Sequence, residues 1–225
     1  MGSPQWSQQE VLDLIGSRPP DFDPGMSYSY SNGGYYLLGV IVERATKRAF
    51  QDLLEEYFLN RKGLVNTEII AGSTSGSPTH FYSIPEPDSE LTDVTRWDWS
   101  WDWTSGAGVT TVGDMLQFLD LLFVEGLLSP GSMQEMTTVT SPANRYGFGM
   151  NIKTYQDKVL YTHWGAGAGT LCAWVYLPDI QSGLFVAVNR LDMADPLTPA
   201  YAFQEVIDRA CDLLISRAQQ IAEAD

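Results

Sequence analysis

The chain reads as an α+β fold, a helical lobe followed by an antiparallel sheet that a C-terminal helix covers. Three observations carry this reading. Apolar residues recur at helical spacing through the first part of the chain. After Pro142, β-branched and aromatic runs of strand length follow, separated by turn residues. An amphipathic segment then closes the chain. With 225 residues, 44% of them hydrophobic, the sequence can bury a real core within one domain spanning 1–225. Its mainly helical lobe covers about 1–140, and its sheet and final helix about 141–225.

Ser7 and Glu10 form a capping-box pattern at the first helix. Val11, Leu12, Leu14 and Ile15 supply its apolar face, and Gly16 ends it before Pro19-Pro20. The turn DFDPGMSYSYSNGG leads into a second helix, with Tyr36, Leu37, Val40 and Ile41 at helical spacing. A third helix is expected near residues 50 to 59, with Leu53, Leu54, Tyr57 and Phe58 on one side. From Gly63 to about Gly108 the composition is that of loops, as in AGSTSGSPTH and PEPDSE.

Thr111 and Asp114 then mark a helix start, with Met115, Leu116, Leu119, Leu122 and Phe123 as a buried stripe. Ser129 as cap and Pro130 at the first position open a short helix. The strands are YGFGMNIKTY, KVLYTH, TLCAWVYLP and LFVAVN. QDK and PDIQSG are hairpin connections, which makes the sheet antiparallel. The closing helix presents Phe203, Val206, Ile207, Ala210, Leu214 and Ile221 on one face.

Charge excludes one class of partner. A net charge of −15, with only 13 Lys and Arg, does not fit nucleic acid, whose phosphates require clustered cations. Cys172 and Cys211 are too few for a disulfide scaffold and are expected as buried thiols. Two histidines, His80 and His163, argue against a zinc enzyme, so no metal or cofactor is expected. No apolar run approaches the ~20 residues of a membrane helix. The opening MGSPQWSQQE has no basic region followed by an apolar core, the pattern of an export signal.

Two motifs could carry chemistry. Tyr30-Ser31-Asn32 places a phenol and an amide on a turn just ahead of a helix, though Ser and Asn also simply cap helices there. HWGAGAG, residues 163 to 169, sets a histidine before glycines that let a ligand approach the backbone closely; a plain hairpin would read the same way. Their company is more specific. FDPGMSYSYSNGGYYLLGVIVERAT, GLVNT, SGAGVTTVGDMLQFL, THWGAGAGTLCAWVYLP and LFVAVN follow one another in this order.

That succession, over roughly residues 5 to 215, resembles the serine β-lactamase-like family of class C β-lactamases, D-alanyl-D-alanine carboxypeptidases, D-aminopeptidases and related esterases. Tyr30 and Asn32 match its Tyr-x-Asn element, and His163 and Gly165 its Lys-Thr-Gly or His-x-Gly element. The resemblance implies an acyl-enzyme hydrolase of small amides or esters. In it Tyr30 shuttles a proton, tuned by a neighbouring amine. Asn32 binds the acyl-side amide, and His163, with Gly165, serves the leaving-group or carboxylate end. The backbone N–H of Ala166 is one oxyanion donor. It also implies a periplasmic or extracellular location.

The family's Ser-x-x-Lys element has no counterpart here. On a helix, residues three apart share a face, so the lysine amine lies beside the serine hydroxyl. The residues three before Lys47, Lys62, Lys153 and Lys158 are Arg44, Leu59, Met150 and Tyr155. Only 29 residues precede Tyr30, where the family places that helix and two strands. Ser31, Ser105 and the GSTSG stretch centred on Thr74 offer no nucleophile elbow.

The expectation is therefore an N-terminally incomplete serine hydrolase, inactive alone. It would be marginally stable, open to self-association or to completion by an N-terminal fragment. The alternative is a pseudoenzyme or short form that binds a peptide or a partner protein. Trp97, Trp99, Trp101 and Trp103 alternate as they would on one face of an extended segment. They serve either to plug a loop onto the helical lobe or, through Trp101, as an apolar wall for substrate.

Overall fold

The computed structural model describes residues 5–60, 63–70, 79–139 and 145–224. They group into two compact units, Met1–Pro78 with Thr95–Asp114, and Thr79–Val94 with Met115–Asp225.

In the first unit, α1 (Gln8–Gly16) starts from the expected capping box: the Ser7 side chain accepts from the Glu10 N–H, and the Glu10 carboxylate accepts from the Ser7 N–H at 2.8 Å. Helix α2 (Asn32–Thr46) starts at Ser31, whose hydroxyl accepts from the Gly34 N–H at 3.2 Å. Val11, Tyr36 and Val40 form the core of this unit, with Trp6, Leu12, Ile15 and Trp103 packed around it. Leu37 and Ile41, expected on the same face as Tyr36 and Val40, are 37% and 58% exposed. The buried stripe is thus narrower than the sequence pattern.

Helix α3 (Phe50–Leu54) passes directly into a π-helical turn, Glu55–Leu59, closed by the Asn60 N–H on the Glu55 carbonyl. A π turn carries one more residue than an α turn. The stripe that reached Leu54 therefore lands on Leu59, which is buried, and Tyr57 is turned outward. The expected helix over 50–59 keeps its span, and the correction is to its buried face, which takes Leu59 in place of Tyr57.

The tryptophan row is not extended either. Residues 100–102 are turn and Trp103–Ser105 is a 3-10 helix, so the four rings do not line one face of an extended segment. Trp103 meets Tyr36 and Phe50 edge-on at 5.1 and 5.8 Å, plugging the loop onto α2 and α3. The Trp99 and Trp101 rings lie 6.1 Å apart, tilted by 32°, and Trp101 is 41% exposed. Close by, Gly39 of α2 admits Thr104, whose hydroxyl donates to the Tyr35 carbonyl at 3.1 Å.

Two-residue strands β1 (Glu68–Ile69) and β4 (Gly108–Val109) pair antiparallel where the composition suggested only loop. They bring GLVNT beside GVTTVGD. The buried Asp114 carboxylate, at the start of α4 (Val112–Phe123), accepts from the Asn66 backbone and side chain at 2.8 and 3.1 Å, from the Thr67 hydroxyl at 2.9 Å and from Thr111 at 3.2 Å.

The second unit holds a four-stranded antiparallel sheet in chain order, β5 (Asn151–Tyr155), β6 (Lys158–Gly167), β7 (Thr170–Leu177) and β8 (Ser182–Val188). Gln156 and Asp157 join β5 to β6 with both residues at positive φ, the two-residue turn whose twist suits a hairpin. Residues 146–150, expected as strand, instead form a turn. There the Gly147 N–H donates to the Met150 carbonyl, and Gly149 sits at φ 81°.

One face of the sheet carries Leu160, Leu171, Ala173, Val175 and Leu177 against Phe203, Ile207, Cys211 and Ile215 of α6 (Leu197–Ala224). Burying each Leu, Ile or Phe there contributes about 1.5–3 kcal/mol. The helix is seated along the 203, 207, 211, 215 row, so Val206 and Ile221, expected on the buried face, are each 52% exposed. On the other face Phe123 of α4 stacks on Tyr176 at 4.3 Å and on Tyr161 at 5.5 Å.

A short hairpin, β2 (Tyr82–Ser83) with β3 (Thr92–Asp93), approaches the β6–β7 turn, where Gly169 at φ 77° lies against Val94 and the Tyr82 N–H. Helix α5 (Pro130–Met136) begins with Ser129 accepting from Ser132, as expected. Both cysteines are free thiols: Cys211 is buried and Cys172 half-buried.

Candidate functional site

Tyr30, Asn32 and Trp101 belong to the first unit, and His163, Gly165 and Ala166 to the second. Asn32 is the first residue of α2. Tyr30 lies one residue before the cap, half exposed, its ring 5.7 Å from that of Tyr35. Partial burial raises the Tyr30 pKa above the ordinary phenol value. The neighbouring Tyr35, Tyr28 and Asp102 push the same way. An amine neighbour would act in the opposite direction, so as it stands Tyr30 is a protonated phenol at neutral pH.

Asp102 is itself raised by burial, opposed by the Ser105 hydroxyl, which donates to its carboxylate at 2.6 Å. Ser105 is thereby tied into its own turn, and Ser31 is a helix cap. Thr74 and the rest of GSTSG lie outside the described residues.

His163 sits on β6 on the sheet face away from α6, opposite Trp174 of β7. Its Nε2 is 3.0 Å from the Tyr146 hydroxyl, and the two rings meet edge-on at 6.1 Å. Burial lowers the His163 pKa below the ordinary imidazole value, and a hydrogen bond to the backbone of Trp164 opposes that shift. The ring is therefore neutral at neutral pH.

Gly165 is opposite Cys172, and a Cβ at Gly165 would lie 2.8 Å from the Cys172 sulfur, so the position tolerates only glycine without movement of the thiol. Ala166 is exposed, opposite Leu171. Strand β5 pairs with β6 only as far as Asn151 opposite Thr162, so residues 163–167 extend past its end.

Tyr146 was not singled out from the sequence. Its position in YGFG, a tyrosine inside a glycine-rich turn at a strand start, is the signal that could have found it. Elsewhere in the second unit, exposed His80 is bound to Asp93 at 2.6 Å and stacks on Tyr82 at 6.3 Å. Among the described residues no group of three His, Cys, Asp or Glu side chains could hold a metal ion, and no helix is long and apolar enough to cross a membrane.

The Beta-lactamase family profile matches residues 2–206. D-aminopeptidase of Brucella anthropi is 29% identical over 178 residues, covering 75% of this chain and 32% of that protein. D-aminopeptidase of Brucella ovis is 28% identical over 174 residues, 75% of this chain and 33% of that protein. The chain thus spans about a third of the length of these relatives.

Among solved structures, the D-amino acid amidase of Ochrobactrum anthropi SV3 in complex with D-phenylalanine superposes with a TM-score of 0.81 at 22% identity, over 97% of this chain and 66% of that one. A D-stereospecific amidohydrolase from Streptomyces sp. gives 0.76 at 22% identity, over 85% and 58%. The octameric penicillin-binding protein homologue of Pyrococcus abyssi gives 0.74 at 19%, over 95% and 48%. At these identities the superpositions establish the fold.

Proposed function

This chain belongs to the beta-lactamase family, and from that we propose that it forms part of a serine hydrolase of the penicillin-recognising kind, acting on small amides of D-amino acids through an acyl-enzyme. The observation that carries the reading is His163. It is a half-buried, neutral imidazole on the strand stretch that overhangs β5, two residues from Gly165, where any side chain would press on the Cys172 sulfur. Preference for D-amino acid amides over esters or peptidoglycan stems is supported by the D-aminopeptidases and the D-amino acid amidase among the relatives.

In this reading Tyr30 is the proton shuttle, donating from its phenol to the leaving group. Asn32 holds the acyl-side amide and Trp101 offers an apolar surface to the substrate side chain. His163 orients the leaving-group end, and the Ala166 N–H receives the oxyanion. The nucleophilic serine and its lysine are supplied from outside these 225 residues. A cationic lysine near Tyr30 would reverse the upward shift of its phenol and let it act as base as well as acid.

Two measurements test this. The intact mass of the purified chain, after exposure to a β-lactam and separately to a fluorophosphonate, should not change. A stoichiometric gain mapped to Ser31, Ser105 or any other residue would place the nucleophile within the chain instead. Calorimetric titration with D-phenylalanine amide and its L enantiomer should show weak binding that favours the D form and is lost in Asn32→Ala. Equal binding of both enantiomers, or none, would sink the substrate assignment.

The second reading, a pseudoenzyme or short form that binds a peptide or partner, is favoured by one observation: no serine lies three residues before any lysine. Isolation of an active longer form would end it.

A further inference from the structure

Among the residues that carry no assigned role, Tyr146 makes the most constrained contact. It is 7% exposed, and its backbone is fixed on both sides. The Ile152 N–H donates to the Arg145 carbonyl at 2.7 Å, the Gly147 N–H to the Met150 carbonyl at 2.9 Å, and the Phe148 N–H to the Met136 carbonyl at 3.0 Å. Gly147 packs so closely on the end of α5 that a Cβ there would lie 2.2 Å from the Met136 carbonyl oxygen. Tyr146 also bridges to Asn151, whose partner across the sheet is Thr162. The turn therefore holds the phenol at the point where β5 stops and the overhang of β6 begins, with its hydroxyl 3.0 Å from Nε2 of His163.

We propose that Tyr146 is a positioning residue that donates its hydroxyl proton to Nε2 of His163 and so holds the imidazole in one orientation and in the Nδ1–H tautomer. A neutral imidazole has one donor and one acceptor nitrogen, and the partner of one fixes the role of the other. The hydrogen bond between the ring and the Trp164 backbone favours the protonated ring, so there a ring N–H donates. Because Nε2 is the nitrogen that faces the Tyr146 hydroxyl at 3.0 Å, we assign that N–H to Nδ1, which makes Nε2 the acceptor and Tyr146 its donor. The functional meaning, an oriented His163 beside the leaving-group end, rests on the hydrolase reading. The tautomer itself rests on two contacts of His163 within this unit, the Tyr146 hydroxyl and the Trp164 backbone.

The chain has two histidines, so their ring nitrogens can be assigned by long-range 15N–1H correlation, with His80 as an internal control. In the unmodified chain at pH 8, His163 should show a protonated Nδ1 and an unprotonated, hydrogen-bonded Nε2. The opposite pattern, or fast averaging between tautomers, overturns the proposal without any variant. In Tyr146→Phe, which keeps the ring and its packing, the Nε2 resonance should move to that of a nitrogen without a donor, or the tautomers should mix, while His80 stays in place. An unchanged His163 spectrum in a folded Tyr146→Phe variant also overturns it.

D-phenylalanine amide titrated into both proteins separates the two readings. If neither binds and the tautomer result holds, the substrate assignment falls and the positioning role stands. If the amide binds the unmodified chain, its affinity should drop about 10-fold in Tyr146→Phe.

Discussion

The Asp114 carboxylate receives both amides of Asn66, backbone and side chain, from 48 residues earlier in the chain. With Thr67 and Thr111 also bonded to it, this one side chain ties the stretch before β1 to the first turn of α4. Asp114→Ala leaves several buried donors without their acceptor, and should cost about 2–4 kcal/mol in urea unfolding. Burial alone would raise the Asp114 pKa, but the hydrogen bonds from Asn66, Thr67 and Thr111 outweigh it and hold the group below 3.8. A depressed folded-state value means that the contribution is complete above about pH 4 and disappears as pH falls through the folded value. The stability gap between the unmodified chain and Asp114→Asn should therefore shrink in melts taken below pH 4; a constant gap down to pH 2 would contradict the network.

Gly39 and Thr104 should be coupled. A Cβ on Gly39 would lie 2.5 Å from both branches of the Thr104 side chain and 2.9 Å from its Cβ. Gly39→Ala is expected to lose about 1–3 kcal/mol by overpacking. In a Thr104→Ala background the same change should cost clearly less, because two of the three close atoms are gone. Additive effects in that double-mutant cycle would show that the two residues do not press on each other.

The π turn makes a prediction that distinguishes it from a continuous α-helix. Leu59→Ala should destabilise by about 2–3 kcal/mol, whereas Tyr57→Ala, at a residue 48% exposed, should change stability by less than about 0.5 kcal/mol. An α-helix carried through residue 59 would give the larger loss at Tyr57 or Phe58.

Both thiols should resist modification in the folded protein. Burial, with Asp208 and Asp212 adding to it, pushes the Cys211 pKa up to about 11. Burial also raises Cys172, against a hydrogen bond from the Gly165 backbone. At pH 8 the thiolate population of Cys211 is about 100-fold below that of an ordinary thiol. Reaction with a chromogenic disulfide should release two equivalents promptly only after unfolding. A fast equivalent from the native chain would mean that a thiol is solvent-accessible.

Much of this architecture is legible in residue patterns because it rests on local chemistry. Ser7 with Glu10, Ser129 with Pro130, and the Gln156-Asp157 turn act within four residues of themselves, and the sheet order follows from short connections. The errors fall where distant partners decide. Nothing in the spacing of Val206 and Ile207 says which of them meets the sheet. That is settled by which row of α6 packs on Leu171 and Val175, the row of Phe203, Ile207, Cys211 and Ile215. The π turn is likewise invisible to a count of 3.6, and the tryptophan alternation describes composition rather than an extended backbone.

Tyr30, Asn32, His163 and Gly165 can be named as candidates from the sequence because they sit in compact motifs. Tyr146 is 17 residues from His163, and only the fold of the Gly147–Gly149 turn brings it there.

The Gln156-Asp157 turn has a practical use. Both side chains are exposed, the two strands it joins are held by five pairs of residues, and His163 is six residues beyond Asp157, about 20 Å away at strand rise. A peptide tag, dye or surface tether inserted between these two residues would hang from a rigid stem at the end of β6 remote from His163. The protein could then be immobilised or labelled for ligand screening through a site at the opposite end of β6 from His163.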